Sequence, residues 1–287
     1  LPRVVLPRRR GIEMSLDHRH GRFYLLINDT GRNFRLVETD AAAPSLATAR
    51  ELISQRDDVM LEDVDLFERW MVVQERDRGT LKLRVFDLAA GRDWHIPFDE
   101  SVYSAGGDVN EEFASDVYRV AYTSMVTPHS VYDVDLTTGE RVLKKRQPVL
   151  GGYDPALYDS TQILARAADG TAVPVSLVWK RALRRDGRPQ PLLMYGYGAY
   201  GIPVDPYFSS SRLSLLDRGV VFVGCNDGAL YALDALTGVQ RWRFATTAEV
   251  MRFARVHAAA SAPGPVAMHR SSPYGLLLPL PGEPADA

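Results

Sequence analysis

The chain has 287 residues, 46% of them hydrophobic and 24% charged, the balance of a folded globular protein with a sizeable core rather than a disordered one. A formal charge of −2 gives no overall attraction to nucleic acid or to a membrane surface, so neither is expected as a partner. One cysteine, Cys225, excludes an internal disulfide and a cysteine-rich metal site, and it points to a reducing compartment, the cytoplasm.

The chain opens with neither an initiator Met nor the apolar core of a signal peptide, which reads as the interior of a longer protein. The basic runs at 8–10 and 144–146 read as solvated charge. No apolar run approaches the length of a membrane span, because Leu276, Leu277 and Leu278 are followed at once by Pro279. Three β-prone runs begin at Phe23, Met71 and Val120, which are 48 and 49 residues apart. Each is followed by a polar turn and a second strand, over 33–38, 81–86 and 130–135. Two of these end in matching turns, from Asp87 to Gly91 and from Asp135 to Gly139. Glycine there permits a positive φ, and the aspartate can accept bonds from the turn backbone. A period near fifty with several short strands per unit is the pattern of propeller blades. A β-sandwich with coincidental spacing is the competing reading. Three blades do not close a ring, so the first lacks a neighbour. Residues 41–51, rich in alanine and broken by Pro44, read as an inter-blade loop with some helix.

From about Leu150 the pattern changes. Residues 161–180 read as a hairpin around Asp169 and Gly170. Residues 191–195 read as a short buried strand that ends in glycine turns. Residues 209–216 read as a helix start, with serines at the cap and Leu213, Leu215 and Leu216 as its apolar positions. Residues 220–223 read as a further buried strand, left unpaired at an edge that favours aggregation. Strand, glycine-rich loop, helix and strand together open an α/β core.

The stretch 191–222, with Tyr195, Gly196, Tyr197 and Gly198 followed by the run from Asp205 to Phe222, resembles the start of the hydrolase core in the prolyl oligopeptidase family of serine peptidases. The oligopeptidase B branch is the most similar. Residues 13–18, 22–26, 31–34, 59–62, 122–128 and 138–141 resemble propeller segments of that branch in order, and 169–178 resemble its hydrolase opening. The likeness runs to about Val223. It implies a mainly β fold: a partial β-propeller of about three blades over 1–150, then the N-terminal part of an α/β-hydrolase domain over 151–223. In that family the propeller caps the active site and limits access to short peptides. The implied reaction is hydrolysis after Arg or Lys through an acyl-enzyme, without metal or cofactor. Tyr197 is implied as the oxyanion donor, with Gly196 and Gly198 shaping its loop; a preorganised donor of this kind contributes about 3 kcal/mol. Residues 221–244 resemble one repeat of the pyrroloquinoline-quinone-type propellers, which gives a further β-repeat over 224–250. One repeat is far below what builds a ring or a cofactor site. The alanine- and proline-rich tail over 251–287 is expected to be poorly ordered.

The family's reaction needs a serine activated by a histidine that an aspartate orients. The serine belongs on a Gly-x-Ser-x-Gly elbow, and no serine of this chain has that setting. Ser104, followed by Ala105, Gly106 and Gly107, imitates the elbow but has Val102 where glycine is needed. No apolar helix pattern follows it, and its position falls within a blade. The six histidines, among them His18, His20, His95 and His129, read as solvated or hydrogen-bonded surface groups without metal-ligand spacing. The chain alone is therefore expected to be inactive. The alternative is a non-catalytic β-propeller-type interaction scaffold, which the small number of blades disfavours. Nothing in the sequence assigns an oligomeric state or the origin of the junction at 221–224.

Overall fold

The computed structural model describes residues 4–166, 170–184, 190–196, 203–225, 229–233 and 240–245, with side chains as far as 224. These residues fall into two compact units. The first draws on Leu1–Asp99, Ser104–Tyr122 and His129–Arg146, and the second on Glu100–Tyr103, Thr123–Pro128 and the chain from Gln147 onward.

Twelve strands form three four-stranded sheets, each with its strands side by side in chain order. The first sheet comprises β1 (Met14–Arg19), β2 (Arg22–Ile27), β3 (Arg35–Asp40) and β4 (Arg50–Ile53). The second comprises β5 (Val59–Leu66), β6 (Trp70–Asp77), β7 (Thr80–Asp87) and β8 (Arg92–His95). The third comprises β9 (Tyr103–Gly107), β10 (Val117–Ser124), β11 (Ser130–Asp135) and β12 (Arg141–Arg146). The three runs of the sequence repeat are β2, β6 and β10, the second strand of each blade. Burial alternates strictly along β7 and β10, as the two-residue period of a strand requires. Tyr24, Leu26 and Leu36 of the first sheet pack against Leu61, Val64, Met71 and Val73 of the second. Leu25, Ile27 and Val37 face the other way, onto Leu6 and Ile12. Each fully buried aliphatic side chain contributes roughly 1.5–3 kcal/mol.

The paired turns repeat atom for atom. The Asp87 carboxylate accepts from Ala89 N and Ala90 N at 3.1 and 3.0 Å, and the Asp135 carboxylate from Thr137 N and Thr138 N at 2.8 Å each. Gly91 and Gly139 close them at φ 67° and 78°, a region costly for any residue with a Cβ. The expectation for 41–51 is corrected. The segment lies inside the first blade, between β3 and β4, and it forms no helix. Thr39 Oγ1 accepts from Ser45 N at 3.0 Å and Asp40 Oδ1 from Ala42 N at 2.8 Å. Such side-chain bonds compete with helical ones, and Arg50–Ile53 then pairs as a strand.

In the second unit, β13 (Tyr158–Arg166) and β14 (Ala172–Lys180) form the expected hairpin, with Gly170 at φ 87°; Asp169 lies outside the described residues. They are followed by β15 (Leu192–Gly196), α1 (Ser210–Leu216) and β16 (Val221–Cys225). The sheet order is β13-β14-β16-β15. β16 runs antiparallel to β14 and parallel to β15, so β15, α1 and β16 make the crossover that opens an α/β core. The expectation that 220–223 is an unpaired edge is overturned, because β16 is paired on both sides. β15 is half-buried rather than buried, since it holds the sheet's edge.

The hairpin of β17 (Ala229–Leu233) and β18 (Gln240–Ala245) is a separate two-stranded sheet. Val221–Cys225, read from sequence also as the first strand of that repeat, belongs to the α/β sheet instead. Residues 226–228 and 234–239 of that repeat and the tail 251–287 lie outside the described residues. The fold is thus a partial β-propeller, the beginning of an α/β-hydrolase domain and one further β-hairpin. Among the described residues no helix is long and apolar enough to cross a membrane.

Candidate functional site

Gly196 ends β15 opposite Cys225 of β16; Tyr197 and Gly198 lie outside the described residues. Ligands of open α/β sheets gather beyond the carboxyl ends of parallel strands, and that is where these two strands stop. A cleft of about 10 Å³ opens there, lined among others by Ser176, Tyr195, Asp205, Tyr207, Arg212 and Phe222. The Tyr195 and Phe222 rings lie near-parallel, with centroids 6.5 Å apart.

Arg212 is the buried cation that lines this cleft. On α1 its side chain shares the inward face with Leu216 one turn later, and both are buried. Its guanidinium lies 3.8 Å from the Phe222 ring centroid and 5.0 Å from that of Tyr207. Nη1 donates to the Tyr207 carbonyl at 2.9 Å. Burial pushes its pKa below the usual arginine value. The surrounding chain is fixed by polar ties. Phe208 N donates to Thr123 Oγ1 at 3.1 Å, and Tyr158 Oη donates to Asp217 at the end of α1 at 2.7 Å. Burial, together with that bond, raises the Tyr158 hydroxyl to about 12. Sequence reasoning passed over Arg212 because it scored only the leucines. The signal was the four-residue spacing from Arg212 to Leu216, which places a cation on the helix's apolar face.

Ser104 sits half-buried on β9, followed by a strand rather than a helix. Its glycines have a packing reason. A Cβ on Gly107 would lie 2.5 Å from Tyr118 Oη and 2.8 Å from Asp65 Oδ2, and one on Gly106 would lie 2.9 Å from Gln74 Oε1. The elbow-like string is thus what close approach between blade strands demands. His95, His18 and His20 are likewise engaged in the blades, while His129 is exposed. His95 Nε2 lies 3.4 Å from the buried Glu75 carboxylate, which Arg56 also binds at 2.6 Å. Burial acts to raise the Glu75 carboxyl, but these bonds outweigh it and hold it below the usual range. His18 packs edge-on against Phe23 and His20 against Phe113. Among the described residues no group of three or more metal-capable side chains stands together.

Meander blades followed by a parallel β15–α1–β16 crossover define a protein that joins propeller blades to the opening of an α/β-hydrolase core. Residues 1–147 match the family described as prolyl oligopeptidase, N-terminal beta-propeller domain, and the chain belongs to the prolyl oligopeptidase family. It is 41% identical over 221 residues to dipeptidyl aminopeptidase BI of Pseudoxanthomonas mexicana, covering 76% of this chain and 30% of that protein. It is 28% identical to protease 2 of Moraxella lacunata, covering 77% of this chain and 31% of that protein. Among solved structures, oligopeptidase B from Trypanosoma brucei, closed form with covalently bound antipain, superposes with a TM-score of 0.70 at 32% identity, covering 77% of this chain and 32% of that one. The chain therefore spans about a third of the length of the relatives it matches.

Proposed function

We propose that this chain supplies the later propeller blades (1–150) and the first part of the peptidase domain (151–223) of a serine oligopeptidase that cleaves short peptides after Arg or Lys. The observation that carries the reading is family membership over residues 1–147, with a parallel β15–β16 pair ending where a catalytic loop would follow. Tyr197 would then donate to the oxyanion, its loop shaped by Gly196 and Gly198. No serine of the chain has a glycine two positions before it, so the 287 residues by themselves are inactive. Residues 224–250 add a β-repeat of no assigned activity, and the single Cys225 favours a cytoplasmic setting.

The 41% identity to a protein named dipeptidyl aminopeptidase BI favours a second reading of specificity, release of dipeptides from the amino end. The two are separated by continuing residues 1–223 with that relative's catalytic segment and assaying two fluorogenic peptides. One carries an internal Arg behind a blocked amino terminus; the other is a free-amino dipeptide ester. Cleavage of the first supports Arg/Lys endopeptidase action, and cleavage of the second alone supports dipeptide release. Turnover of either peptide by the 287-residue chain alone would contradict the inactive reading.

A further inference from the structure

The first sheet is apolar on both faces, and only one of them meets the second sheet. Tyr24, Leu26 and Leu36 pack there. Leu25, Ile27 and Val37 point the other way, yet each is 0% exposed. Their cover is the chain's own: Leu6 and Ile12 from the segment 4–12 that leads into β1, and Leu46 and Ala49 from the loop between β3 and β4. The two covers are held differently. The loop is tied through its backbone, with Ser45 N donating to Thr39 Oγ1 and Ala41 N to the Gly21 carbonyl, both at 3.0 Å. The leading segment has two long polar ties to the sheet among the described residues. Asn28 Nδ2 donates to the Gly11 carbonyl at 3.5 Å, and Arg9, more than half exposed, lies 3.8 Å from Asp29. A surface ion pair of that kind contributes little, so Leu6 and Ile12 are what keep the segment down. Segments with so few ties open locally while the sheet beneath them stays folded.

The apolar face runs on past its cover. Met14 and Leu16 of β1 stand opposite Ile27 and Leu25 in the register, so they share that face, and they are 37% and 42% exposed. We propose that residues 4–12 are a strap over an association face, and that lifting the strap lets the first sheet stack on a second copy of this chain. With the strap lifted, Met14, Leu16, Leu25 and Ile27 join into one apolar strip across β1 and β2, a surface of the kind that marks an interaction site. A second copy carries the same strip, so the two meet about a twofold axis, like against like. With the strap down, only the β1 rim of the strip is open and the chain stays single. The strap acts apart from the peptidase chemistry, and its test does not use activity.

The test uses the 287-residue chain with labelled Ile and Leu methyl groups, a soluble gadolinium chelate as the probe of exposure, and sedimentation at several concentrations. In the native chain the Leu25 and Ile27 methyls are shielded, those of Leu16 are not, and the chain sediments as a monomer. Leu6→Asp together with Ile12→Asp lifts the strap. At low concentration the Leu25 and Ile27 methyls then relax as fast as those of Leu16; at high concentration a dimer forms and all three are shielded. Methyls of Leu25 and Ile27 that stay shielded in the dilute variant would overturn the proposal. So would a variant that exposes them and stays monomeric, or a native chain already dimeric with Leu16 shielded. Where the variant fails to fold, amide exchange of the native chain in dilute urea decides. The Glu13 amide at the root of the strap, bonded to Asn28 Oδ1 at 2.8 Å, should exchange with little dependence on urea. The Leu25 and Ile27 amides should exchange only with the steep dependence of unfolding the whole unit. Equal dependence in all three means that strap and sheet open together, which contradicts a separate strap.

Discussion

The β5–β8 sheet and the β13–β16 sheet each have four strands, yet their strands find partners in different ways. In the blade every strand pairs with its neighbour in sequence. In the α/β sheet β14 pairs with β16, and β15 reaches the edge only through the α1 crossover. Local pairing leaves a local trace, namely alternation along β7, a matching Asp-to-Gly turn and a period near fifty. Crossover pairing leaves little, because the residues that meet are far apart in the chain and closing that loop costs entropy before any contact is gained. The blade is therefore the more self-sufficient element, and the α/β sheet depends more on each long-range contact.

The largest expected effect is in the blade core. Trp70 is fully buried, and its Nε1 donates to Asp116 Oδ1 at 2.7 Å. Trp70→Ala should cost about 4 kcal/mol and lower amide protection across the first unit in hydrogen exchange, leaving β14 and β16 protected. Next comes Leu216→Ala, at 1% exposure on α1. It should cost about 3 kcal/mol and act in the opposite unit, freeing β15 and β16 amides while β6 and β7 stay protected. If both substitutions melt both units together, the two are not separate cooperative bodies and the comparison fails.

The turns give smaller effects. Asp87→Ala removes the acceptor for Arg69 and for two turn amides, a loss of about 2 kcal/mol in urea unfolding. The Arg69 hydrogen bond foremost holds the Asp87 carboxyl down to about 2, from an ordinary 3.8. A carboxyl lowered by folding stabilises above its unfolded value and loses that stabilisation as the pH falls through its folded one. The gap between native and Asp87→Ala should thus be full above pH 4 and shrink toward pH 2. Gly139→Ala is the mildest change. Its Cβ would have room, 3.6 Å from Trp94, so the cost of about 1 kcal/mol comes from the positive φ alone and should appear as a small drop in Tm.

The same contrast explains what the sequence disclosed. β2, β6 and β10 were legible as a repeat because each is an apolar run between polar turns. The helix at 210–216 was legible from Ser209 and the leucines. The loop at 41–51 was misread because alanine content suggests helix, whereas Thr39, Asp40 and Ser45 tie the backbone into turns. The run Val221–Cys225 fits a central strand of one sheet and a first strand of another repeat equally well; only its partners, β14 and β15, decide. Arg212 escaped notice because a buried cation breaks the rule by which apolar faces are recognised. The Tyr-Gly-Tyr-Gly block implies an oxyanion loop through family likeness alone, and of it the described residues include only Tyr195 and Gly196.

In the proposed function, no serine within these 287 residues is an activated nucleophile. The most direct measurement is labelling of the purified chain with a fluorophosphonate, with any modified residue mapped by mass spectrometry. No serine should take the label while an intact oligopeptidase B treated alongside is labelled. Label on Ser104, the half-buried β9 residue, or on any other serine would contradict the account.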